Sequence, residues 1–145
     1  MTHTFLFQEG VWSTRGQYID DTERVLPLVG IIRITHTESL WLYESETEIS
    51  MEGKPVKICS RYEIIPPEEG KNQLTWKSQS PDLGELTGSY VVVGDAIISA
   101  CRSKVGEYTG AEFYTIVSDT HYKNRGVFFK GNDKISSWNI DLLRK

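Results

Sequence analysis

Hydrophobic and polar positions alternate with a period of two along nearly the whole chain, the spacing of strands with one buried and one solvated face. Over residues 40–49, Trp41, Tyr43, Ser45, Thr47 and Ile49 share one face, and Glu44, Glu46 and Glu48 share the other. Over residues 56–65, Val56, Ile58, Ser60, Tyr62 and Ile64 oppose Lys57, Arg61 and Glu63. The same reading predicts further strands over 10–19, 28–36, 73–78, 85–93, 96–104, 107–117, 120–130 and 133–142, with no long helix. Gly94-Asp95, Val105-Gly106, Ser118-Asp119 and Gly131-Asn132 each fall between two strand-like runs, where tight hairpin turns belong. About ten strands joined in sequence by short turns make an antiparallel up-and-down meander. A sheet that wide, left open, carries long unpaired edges. The expected fold is therefore all-β, with the meander closed into a barrel; a two-sheet β-sandwich is the alternative.

The turns also propose a register. If each is a two-residue loop, Tyr90 faces Ser99, Ser99 faces Glu112, Glu112 faces Arg125 and Arg125 faces Trp138, one row across adjacent strands. The last strand alternates Trp138, Ile140 and Leu142 against Ser137, Asn139 and Asp141, so the Trp138 face is the inward one. Glu112 and Arg125 are then expected to meet inside as a carboxylate–guanidinium pair, with Tyr114 and Lys123 one step along. An odd slip in a turn, or a bulge, turns every later strand over.

The inward positions hold more rings and hydroxyls than a dry core of aliphatic side chains uses. Tyr18, Trp41, Tyr43, Tyr62, Trp76, Tyr90 and Trp138 supply rings, Ser99 a hydroxyl, and Glu112, Lys123 and Arg125 charge. These are the candidate ligand-binding residues, and the expected function is to hold a small aromatic or anionic molecule in the interior, with Lys123 and Arg125 meeting negative charge. A second reading is a small barrel enzyme, a lyase or isomerase, with Glu112, Arg125 and Tyr114 as the catalytic candidates. An adjacent arginine works against it, because it lowers the pKa that a general acid needs raised. A third reading is a filled barrel with a structural or interaction role.

Composition narrows the partners. A chain of 145 residues fits a single β-barrel domain spanning 1–145. With 16 Lys+Arg against 20 Asp+Glu the net charge is −4, and the arginines are scattered among acids, which argues against nucleic acid. No apolar run is long enough for a membrane-spanning helix, and the residues from Met1 to Phe7 lack the basic and apolar regions of a secretory signal. Cys59 and Cys101 stand far apart with no metal-ligand spacing, as in a cytoplasmic protein with reduced thiols. Neither a phosphate loop nor a nucleophile elbow is present. No metal is expected, and no cofactor, haem held by His36 or His121 being the exception.

Gly10-Val11-Trp12 opens the first strand, and the meander ends in a strand carrying Trp138 and Arg144. This resembles the calycin superfamily of lipocalins, fatty-acid-binding proteins and avidins. Their first strand often begins Gly-x-Trp, with the indole closing one barrel end beneath a late basic residue. The resemblance implies that role for Arg125 or Arg144, and a ligand-binding barrel. Only Gly10 and Trp12 match the motif directly. Residues 20–27 are too short for the two-helix lid of fatty-acid-binding proteins, and no lipocalin-type helix follows Leu143, so the resemblance carries no particular ligand.

Overall fold

A computed structural model describes residues 2–145; Met1, the first residue of the expected 1–145 domain, lies outside the described residues. Ten strands follow one another: β1 (Gly10–Ile19), β2 (Val25–His36), β3 (Trp41–Met51), β4 (Lys54–Ile65), β5 (Gln73–Ser80), β6 (Gly84–Val93), β7 (Ala96–Ser103), β8 (Tyr108–Ser118), β9 (His121–Lys130) and β10 (Asp133–Arg144). Each pairs antiparallel with its sequence neighbours, and β10 pairs with β1, so the meander closes into a barrel as the alternation predicts. Among the described residues no helix is long and apolar enough to cross a membrane.

The wall is not uniform. β4 pairs with β5 only over Tyr62 to Ile65, so its first two turns of pleat, from Lys54 to Arg61, have no strand partner on that side. Inward-facing Val56 and Ile58 are 41% and 44% exposed there. The barrel therefore opens between the β3–β4 hairpin and the β5–β6 turn.

The other end is shut by the residues before β1. Phe5 and Leu6 are wholly buried, and Phe5 packs edge-on to Trp12 and against Tyr114 and Tyr122, with ring centroids at 5.4, 4.7 and 5.7 Å. His3 pins this plug: Nε2 lies 2.9 Å from the Gly94 carbonyl oxygen and Nδ1 2.8 Å from the Tyr122 hydroxyl. A carbonyl can only accept, so Nε2 carries a proton, and in the neutral ring Nδ1 accepts from Tyr122. The Tyr122 oxygen in turn accepts from the Thr4 amide at 3.0 Å. Arg144, not Arg125, lies over the Trp12 ring at 5.9 Å and donates to Gln8 Oε1 and the Glu9 carbonyl.

Two glycines let indoles lie flat against the inner wall. Gly88 sits opposite Trp76 and Gly126 opposite Trp138, and a Cβ at either position would fall inside the facing indole. A side chain there would push the ring into the space described next.

Candidate functional site

The expected register holds on one side of the barrel and slips on the other. Tyr90 faces Ser99, and Ser99 faces Glu112, as read from the turns. Between β8 and β9, however, the turn closes on Ser118 and His121, and a bulge follows between Ile116 and Ser118, so Glu112 faces Gly126 and Arg125 faces Phe113. One residue of slip reverses the β9 faces. Arg125 and Lys123 consequently point outward and are exposed, and the Arg125 guanidinium donates to the neighbouring Asn124 carbonyl instead of meeting Glu112. The buried ion pair predicted from the sequence does not form. A second bulge, between Lys134 and Ser136, shifts the next register by one again and returns Trp138 to the inner face.

The slip brings Tyr122 and Asn124 inside in place of Lys123 and Arg125. Asn124 is buried, with its amide donating to the Phe113 carbonyl at 3.1 Å. Sequence reasoning missed it, because nothing in the β8–β9 turn marks the bulge that inverts β9.

What remains inside is a cavity of about 220 Å³ with a side pocket of about 90 Å³. Tyr18, Tyr43, Ser45, Ser60, Asn124 and Tyr114 contribute to the main cavity, Trp76, Tyr90, Ser99 and Cys101 to the side pocket, and Tyr62, Glu112 and Trp138 to both. Of the predicted binding residues, Trp41 is inward-facing but lies at the plugged end, stacked on His36 at 3.9 Å and edge-on to Phe7. A wider hollow of about 700 Å³ on the outer wall is lined by solvated-face residues such as Glu63, Lys77, Thr87 and Arg102. The interior space is the better ligand site, because there apolar rings and a few polar groups converge inside the barrel.

Cross-strand stacking shapes one wall. Tyr43 and Tyr62 stack at 4.7 Å and Tyr62 and Trp76 at 4.3 Å, nearly parallel in both cases, and the series continues with tilted contacts through Tyr90 to Tyr114. Alternation puts all these rings on the inner face; Tyr43 and Tyr62 are direct cross-strand partners, Trp76 lies diagonal to Tyr62, and Tyr90 and Tyr114 lie on β6 and β8 to either side of β7.

Glu112 is the one formally charged side chain among the residues lining the cavity and its side pocket. It is half-buried, and its carboxylate accepts from the Tyr114 hydroxyl. Burial raises its pKa to about 7, an effect the Tyr114 hydrogen bond only partly offsets. Burial also lifts the Tyr114, Tyr62, Tyr90 and Tyr43 phenols above their ordinary range, with Glu112's charge adding to each. The Cys101 thiol is pushed up to about 11 by burial and by the same carboxylate, which keeps it protonated and unreactive. Thr14 Oγ1 and Trp76 Nε1, on side chains that line the two spaces, are buried with no protein hydrogen-bond partner.

Neither histidine proposed for haem faces the cavity. His36 Nε2 bonds to the Leu6 carbonyl at 2.8 Å, and His121 Nε2 to Asp141 on the outside at 3.0 Å. Cys59 and Cys101 are free thiols. Among the described residues no group of three or more His, Cys, Asp or Glu is placed to hold a metal ion.

No protein-family model matches the chain, and no curated protein matches it. Among solved structures it is similar to the S-type phycobiliprotein lyase CPES from Guillardia theta, with a TM-score of 0.67 at 13% identity, over 97% of this chain and 90% of that one. At that identity the likeness is one of fold.

Proposed function

We propose that this is a calycin-type barrel whose interior binds a small ring-bearing molecule, admitted through the gap beside β4. The observation that carries the reading is the interior space with the Tyr43–Tyr62–Trp76 stack on one wall and Ser45, Ser60, Asn124 and Glu112 among the polar groups lining it. A core built only for stability would fill that volume with aliphatic side chains. Two further features support the reading: Trp12 beneath Arg144 at the closed end, and a fold shared with a phycobiliprotein lyase. The main cavity of about 220 Å³ with its side pocket of about 90 Å³ reaches only the small end of the roughly 300–1,000 Å³ of drug-sized pockets, so the ligand is compact. The anionic class expected from the sequence rested on Lys123 and Arg125, which point outward, and it is not retained.

The test is to fill the space. Ser45 and Ser60 face each other across β3 and β4, both on the cavity wall. Native mass spectrometry of the purified protein, and titration with a planar fluorescent probe, are expected to show a bound small molecule. The Ser45→Leu/Ser60→Leu double variant is expected to lose it with an unchanged circular dichroism spectrum. A wild-type protein that carries no ligand and takes up no probe overturns the proposal.

A proton-transfer enzyme is a second reading, favoured by one observation: Glu112, freed of the predicted arginine, titrates near neutrality beside the Tyr114 hydroxyl, where a general acid or base is most effective. Full turnover by Glu112→Gln on any substrate found would remove it from that role.

A further inference from the structure

The cavity presents one charge and no countercharge. No Lys, Arg, His or Asp is among the residues lining the main cavity or its side pocket, and Glu112 lines both. A carboxylate held inside a protein ordinarily has a cation or several hydrogen-bond donors to offset its lost hydration. Glu112 has the Tyr114 hydroxyl. Around it stand Tyr43, Tyr62, Tyr90 and Tyr114, all near enough to feel its charge; Tyr62 has both faces covered by Tyr43 and Trp76, which leaves the outer Tyr43 face and the unstacked Tyr90 ring beside the space. An acid without a countercharge beside open aromatic faces suits an organic ammonium group, which gains an ion pair with the one and cation–π contact with the other.

We infer that the ligand class is an organic cation, a compact ring-bearing amine whose protonated nitrogen sits against Glu112 and the aromatic faces beside it. This rests on the proposed binding function and names the chemistry of the same site. An anionic ligand is disfavoured there, because it would set like charge against Glu112 with no cation to compensate. A neutral ligand would use the rings and leave the carboxylate without a partner of opposite charge.

The titratable groups that face Glu112 are few. They are Tyr114 on β8, Tyr43 on β3, Tyr62 on β4, Tyr90 on β6 and Cys101 on β7, each shifted upward by burial and by Glu112 itself, with Tyr18 of β1 further along the same lining. β9 and β10 contribute the uncharged Asn124, Gly126 and Trp138. Between about pH 6 and about pH 8 the one interior group that changes charge is thus Glu112, with its pKa of about 7. Amine affinity should rise on the order of tenfold across that interval as the carboxylate ionises.

Three probes of one shape make the test: 2-naphthylmethylammonium, 2-naphthylmethanol and 2-naphthoate, titrated calorimetrically into the full chain. The expected order is ammonium over alcohol over carboxylate. Glu112→Gln, a near-isosteric change that removes a buried charge, is expected to weaken the ammonium at least tenfold, to leave the alcohol within twofold and to abolish the pH dependence. If the alcohol or the naphthoate binds as well as the ammonium, or if Glu112→Gln leaves the order unchanged, the cation assignment is wrong while the binding function stands. If none of the three binds and the purified protein carries no small molecule, the binding function itself fails.

Discussion

Where residues 3–9 fold across the barrel, Phe5, Leu6 and Trp12 are wholly buried, whereas at the opposite end Val56 and Ile58, on the same inner face of the wall, are 41% and 44% exposed. Both ends arise from the same period-two alternation. The difference lies in what covers them. The closed end has a segment of chain that brings its own hydrophobic side chains and is tied down by His3, Thr4 and the Arg144 contacts to Gln8 and Glu9. The open end has a β4 edge without a strand partner, and its inward side chains meet solvent. Alternation thus specifies which side chains point inward but not which end is sealed. In this barrel the plug and the indole beneath it are wholly buried, whereas the cavity with its one acid lies in the middle, toward the mouth.

The sharpest way to break that division is at Trp12. Its indole is fully buried under Arg144 and against Phe5 and Tyr122, so Trp12→Ala should leave a void and cost about 3–5 kcal/mol in urea denaturation. A loss below about 1 kcal/mol would mean that the plug does not hold the barrel together.

Next in size is the interior acid. Glu112's folded pKa of about 7 lies above its unfolded value of 4.5, so the native state binds the extra proton between these limits. Its contribution is fully favourable below about pH 4.5 and is lost as pH rises through about 7, a decline of at most about 3 kcal/mol. Glu112→Gln should flatten that decline and leave the variant more stable than the wild type above neutrality. Asp20, whose carboxyl is held at about 2 by hydrogen bonds from Thr22 and Arg24, acts with the opposite sign and only in acid, outside this window. Parallel pH–stability curves for the two proteins would show that Glu112 is ordinarily hydrated.

How much of this was legible in the sequence turns on two bulges. The faces of β1 to β8 follow from alternation, and the Tyr90–Ser99–Glu112 row follows from the turns. Arg125 was misplaced because β9 has no strongly apolar face of its own: Tyr122, Asn124 and Gly126 compete with Lys123, Arg125 and Val127. With so little hydrophobic contrast the turn decides the register, and a one-residue bulge reverses it. Trp138 was placed correctly because a second bulge undoes the first. The plug was not legible at all, since Thr2 to Glu9 has no strand or helix period, and its fit to the barrel end is purely tertiary.

Tyr122 tests whether hydrogen bonding or burial secures the plug. Its hydroxyl donates to His3 and accepts from the Thr4 amide, and the ring is fully buried. Tyr122→Phe keeps the ring and strands those two partners along with the Phe5 amide, which donates to the same oxygen at 3.4 Å, so a loss of about 1–3 kcal/mol is expected, with faster amide exchange over residues 3–6. A stable variant with unchanged exchange would assign the plug's hold to Phe5 and Leu6 packing alone.

The smallest effect is expected at the mouth. Ile58 lines the cavity, yet 44% of it is exposed and its strand has no β5 partner at that height, so Ile58→Thr removes little area that folding had taken from water. A β-branched residue replaces another, which keeps the strand preference. Denaturation should change by no more than about 0.5 kcal/mol, against the several expected at Trp12. If a ligand enters beside β4 as proposed, the variant should instead change the rate at which the naphthyl ammonium probe associates, as read by stopped-flow. A stability loss comparable to that at the plug, with no change in association, would place the entrance elsewhere and make the β4 end part of the sealed core.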